Sequence, residues 1–81
     1  MLTVKIQIKN VYGEPKAYPV NTAAELFASI AGTKTLTRRT LQHVLAMGCA
    51  IEEVDRHGNV SRRYDNRAGA VHALSLLPAV V

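Results

Sequence analysis

Eighty-one residues and 8.8 kDa supply enough chain for one hydrophobic core and exclude a second independent domain. With 48% hydrophobic and 20% charged residues the composition is that of a folding chain, far from the polar profile of disordered ones. Ten Lys and Arg against six Asp and Glu give a net charge of +4, which favours acidic partners at long range without specifying one.

Leu2, Val4, Ile6 and Ile8 alternate with Thr3, Lys5, Gln7 and Lys9, a period of two that predicts a first strand with one aliphatic face. Tyr12-Gly13-Glu14-Pro15 supplies turn residues, and Lys16 to Val20 returns as a second strand. Pro19 assigns that strand to a sheet edge, because it has no amide to give a central ladder. Thr22-Ala23-Ala24-Glu25 fits a capping box and predicts a helix start at Thr22. From there Ala23, Leu26, Phe27, Ile30 and Ala31 follow the spacing of a core-facing stripe, and Gly32 is placed to end the helix in a left-handed conformation. Thr37 caps a second helix, with Leu36 and Leu41 as a hydrophobic staple. Leu41, Val44 and Leu45 point inward, Gly48 closes the helix, and Arg38, Arg39, Gln42 and His43 lie on its other side.

Ile51 and Val54 mark a third strand and Val60 and Tyr64 a fourth, joined through Arg56-His57-Gly58-Asn59, where Gly and Asn tolerate positive φ. Glu52, Glu53 and Asp55 on one arm face Arg62 and Arg63 on the other, as cross-strand pairs worth about 0.2–1 kcal/mol each. Asp65 or Asn66 opens a last helical segment running to Leu77, weakened by Gly69. The uncharged stretch Ala73 to Val81 is apolar on nearly every side, so it is expected to pack on the same chain's sheet or to cover a partner, with homodimerisation the simplest case. The resulting expectation is a single α+β domain, residues 1–81, in the order β-β-α-α-β-β with an apolar C-terminal segment and the helix pair on one sheet face.

Catalytic and metal-binding chemistry finds little purchase. Glu52, Glu53 and Asp55 sit on a polar hairpin rather than in a shielded pocket, so they read as salt-bridged strand carboxylates and not as an acid–base pair. Asp55, His57 and Ser61 crowd around one turn, which gives poor triad geometry. His43, His57, His72 and Cys49 show no ligand spacing of a metal site. The five glycines are too scattered for a phosphate loop. No catalytic residue, metal or cofactor is therefore expected. The lone Cys49 and the strand-like N-terminus predict an intracellular, cytoplasmic protein without a membrane span.

Seven of the ten cations fall between Lys34 and Arg67, while Lys5, Lys9 and Lys16 lie near the N-terminus. The order of a short helix, a helix from Thr37 to Gly48 and a hairpin resembles MerR-like winged helix-turn-helix modules. Leu26 to Gly32 would be the first helix and Arg39 to Gly48 the second. That resemblance implies Arg38, Arg39, Gln42 and His43 on phosphates or base edges, and Arg56, Arg62 and Arg63 on the DNA backbone. The connection from Gly32 to Leu36 is longer than the tight turn of such modules, and Thr33 stands where they carry an aliphatic residue.

A second likeness covers roughly residues 2 to 54. The segments Val4-Lys5-Ile6-Gln7-Ile8-Lys9-Asn10-Val11-Tyr12-Gly13, Tyr18-Pro19-Val20, Leu26-Phe27-Ala28, Ala31-Gly32-Thr33-Lys34-Thr35-Leu36-Thr37 and Gly48-Cys49-Ala50-Ile51-Glu52 resemble a group of small uncharacterised phage and prophage proteins. That group has no established active site, so it assigns no residue a role. It implies a setting: an intracellular phage product that binds, either as an inhibitor of a host defence complex such as CRISPR–Cas or as a DNA-binding regulator of phage genes. Both readings place the partner, a host protein, a ribonucleoprotein or nucleic acid, on Arg38, Arg39, Gln42, His43, Arg56, Arg62 and Arg63.

Overall fold

The structure, a computed structural model, describes residues 3–65 and residue 80. Strands β1 (Thr3–Val11) and β2 (Glu14–Pro19) precede helices α1 (Thr22–Ala31) and α2 (Arg38–Ala46), and strands β3 (Ala50–Val54) and β4 (Val60–Tyr64) follow. This is the expected α+β order. The four strands form one mixed sheet in the order β2-β1-β3-β4, with β1 antiparallel to β2 and parallel to β3, and β4 antiparallel to β3. The expected last helix and most of the apolar C-terminal segment, with its homodimer interface, lie outside the described residues. Val80, from that segment, is buried within the core cluster.

The alternation in β1 turns Val4 and Ile6 into the core, and the register puts Ala17 of β2, Ile51 of β3 and Tyr64 of β4 on the same sheet face. Onto this face pack Ala24 and Ala28 of α1 and Leu41, Val44 and Leu45 of α2. Helix α1 lies against β1 and β2, and α2 against β3. Strand β2 is an edge strand, as Pro19 requires. Part of its outer edge is taken up by Leu36, whose amide donates to the Ala17 carbonyl at 2.8 Å.

Two expectations about α1 are corrected. The cap is Asn21 rather than Thr22: its Oδ1 accepts from the Ala24 amide at 2.9 Å. Asn21 wins because the same side chain also serves β1, accepting from the Lys5 amide at 3.2 Å and donating to the Thr3 carbonyl at 2.8 Å. The stripe Ala23, Leu26, Phe27, Ile30, Ala31 is also not the core face. Ala24 and Ala28 are buried instead, Phe27 and Ala23 are half-buried, and Leu26 and Ile30 are 58% and 81% exposed. Alanines let the helix axis approach the sheet closely, and that contact turns the larger apolar residues outward. Gly32 ends α1 with φ 72°, as its freedom from a Cβ allows.

Helix α2 is capped by Thr37, whose Oγ1 accepts from the Thr40 amide at 3.2 Å, and Leu36 and Leu41 are both fully buried. In the β3–β4 turn the positive φ falls on Gly58 alone. Asp55 faces no arginine there; its carboxylate accepts from the amides of His57 at 2.8 Å and Asn59 at 3.0 Å and so shapes the turn.

Candidate functional site

Burial of Leu41, Val44 and Leu45 fixes the rotation of α2 and thereby what it shows to solvent. Residues one turn apart share a line along a helix, so Arg39 and His43, both exposed, form the outer crest. Arg38 and Gln42 form a second line on one flank. His43 also borders a groove on the other flank, where α2 meets α1.

That groove is lined by Phe27, Ile30 and Ala31 of α1 and by Thr40, His43 and Met47 of α2, around a volume of about 320 Å³. Its walls are apolar apart from the Thr40 hydroxyl, which lies 3.1 Å from the Thr37 hydroxyl, and the His43 imidazole. Ile30 is 81% exposed, Met47 68%, and Leu26 continues the patch one turn before Ile30. The groove therefore offers a socket for an apolar side chain, with His43 on its wall and Arg39 one turn before His43 on the same helix. Among the described residues, no cysteine, serine or carboxylate lines it.

The hairpin arginines divide between the two sheet faces. Register places Arg62 opposite Glu53 and Arg63 opposite Glu52, and adjacent strand residues point to opposite faces. Arg63 donates to Glu52 at 2.6 Å and lies 3.7 Å from Asp65, so its charge is already matched on the face away from the helices. Arg62 shares the helix-bearing face with Tyr64, whose hydroxyl donates to Glu53 at 3.2 Å. Burial raises the Tyr64 pKa above its usual value, and the Glu53 charge adds to the rise while Arg62 opposes it. Arg56 is exposed in the turn. Arg38, Arg39, Gln42 and His43 are thus brought together on α2, whereas Arg62 and Arg63 point to opposite faces of the sheet.

Among the described residues, no cluster of three or more His, Cys, Asp or Glu is placed to hold a metal ion. Cys49 is buried. Among the described residues no helix is long and apolar enough to cross a membrane. The sequence contained the groove's one legible signal, the periodic stripe of α1, but its facing was not legible, because the stripe reads identically whether it meets a sheet or solvent. Comparison with protein-family models, with curated proteins and with solved structures finds no match.

Proposed function

We propose that this chain is a non-enzymatic binding protein that docks on a larger partner through its helical layer, with the α1–α2 groove as anchor socket and Arg39 and His43 of α2 setting orientation. The uncovered stripe Leu26, Ile30 and Met47 carries this reading. Large apolar side chains held together in solvent by a rigid scaffold cost solubility and, on the sheet side, contribute no packing, whereas they are what a partner surface buries. In the phage setting that the resemblance implies, the partner is a cytoplasmic host defence complex, and the protein acts as an anti-CRISPR-like inhibitor by occluding one of its working surfaces.

The test is recovery of that complex from host lysate by the tagged protein, compared with Ile30→Asp/Met47→Asp and with Arg39→Glu. Recovery by the parent protein, lost in the double variant and weakened in Arg39→Glu with unfolding midpoints preserved, is the expected result. Equal recovery by all three would remove the groove from the interface, and recovery of no defence complex would overturn the inhibitor reading.

A second reading rests on a different observation: α2 presents Arg38, Arg39, Gln42 and His43 toward solvent and contains no acidic residue. A winged-helix regulator would use this side on duplex DNA. Its affinity for duplex should then fall by orders of magnitude between about 50 and 200 mM salt, as counterion release at several phosphates requires, and should survive Ile30→Asp.

A further inference from the structure

The β1–β2 hairpin contains two locally unfavourable choices side by side. Its two-residue turn places both Tyr12 (φ 53°) and Gly13 (φ 81°) in the positive-φ region, the signature of a type I′ turn, which favours Asn, Asp or Gly at the first position. Tyr12 is the one described non-glycine residue with positive φ. A bulky side chain is strained there, and nothing in the fold compensates, because the ring is fully exposed. Three residues before it, Lys9 stands directly opposite Lys16 in the register, and like charges in that position repel. Lys9 is held 5.3 Å over the ring of Tyr18, and Lys16 reaches Glu14 at 3.7 Å, a loose and exposed ion pair. Lys5 shares the same sheet face two alternations earlier on β1. Departures of this kind from local preference concentrate where a ligand, rather than the fold, uses the residue.

We infer that this hairpin is a binding site for single-stranded nucleic acid, with Tyr12 as a platform on which a base stacks and Lys9 and Lys16 as contacts to the neighbouring phosphates. The chemistry fits each part. A bound phosphate relieves the Lys9–Lys16 repulsion, and Tyr18 keeps Lys9 in place while free of ligand. An exposed aromatic ring beside paired lysines is the combination that single strands use, since every base offers a face to stack and every nucleotide a charge. At about 3.3 Å per residue of extended chain, Tyr12, in the turn one residue past the end of β1, lies no more than roughly 10 Å from Lys9 along the backbone, within reach of adjacent nucleotides. An acidic protein surface would use the lysines but leaves the strained tyrosine unexplained. The site is distinct from the α1–α2 groove.

The experiment is fluorescence anisotropy of labelled oligo-dT and oligo-U with the full chain, beside matched duplex and poly-glutamate, and with thermal melts of every variant. Tyr12→Gly should raise the melting temperature by about 5 °C as the turn relaxes, yet weaken single-strand binding about tenfold through loss of a stacked base; Tyr12→Phe should retain binding. Lys9→Glu should stabilise the hairpin and abolish binding, and parent affinity should drop roughly tenfold between about 50 and 200 mM salt, as two or three phosphates demand. Ile30→Asp/Met47→Asp should bind the oligonucleotides like the parent, which separates this site from the groove. Absence of single-strand binding at 50 mM salt, equal binding by Tyr12→Gly, or equally tight binding of duplex or poly-glutamate would each overturn the inference.

Discussion

Asn21 joins three pieces of backbone with one side chain: the α1 amide of Ala24, the β1 amide of Lys5 and the β1 carbonyl of Thr3. A cap alone is worth about 1 kcal/mol, and a backbone group left without its partner adds a further penalty of about 1 kcal/mol or more. Asn21→Ala is therefore expected to cost about 2–3 kcal/mol in chemical denaturation. Asn21→Asp, which keeps the acceptor and loses the donor to Thr3, should cost less. Tyr64 adds a pH dependence at the same scale. Its folded-state pKa is raised above the ordinary tyrosine value, chiefly by burial, so the folded protein holds the phenolic proton after the unfolded chain has released it. Stability from this group is fully present below about pH 10 and falls as pH rises through the raised folded value. Denaturation midpoints should drop across that alkaline window, and Tyr64→Phe should remove this part of the drop.

At the scale of elements, α1 shows how packing overrides periodicity. The stripe Ala23, Leu26, Phe27, Ile30, Ala31 satisfies the spacing of an amphipathic helix, yet the sheet selects Ala24 and Ala28. Two substitutions separate these faces. Ile30→Ser should change stability by no more than about 0.5 kcal/mol, as an exposed position does. Ala28→Leu should cost about 1–3 kcal/mol, because it forces the helix off the strands; measured unfolding energies in the opposite order would return Ile30 to the core. Helix α2 behaved as its sequence indicated, because its buried residues are large and leave one way to rotate. The β3–β4 hairpin was legible as an element. The directions of Arg62 and Arg63 followed only from the pairing register, which fixes which residue of each neighbouring pair faces the helices.

For the whole molecule, the layout offers two distinct exteriors: a helical layer with an apolar groove that His43 lines, and a β1–β2 hairpin that carries Lys9 and Lys16. Composition, the alternation in β1, the Thr37 cap, Gly32 and Pro19 were enough to order the elements and to assign an edge strand, since these are local preferences acting within a few residues. Tertiary structure alone decided which side of α1 is buried, which arginines share a surface, and that Lys9 lies opposite Lys16 beside a strained Tyr12. Each of these depends on the distance and register between segments remote in sequence, and a linear pattern of residue types does not contain that information.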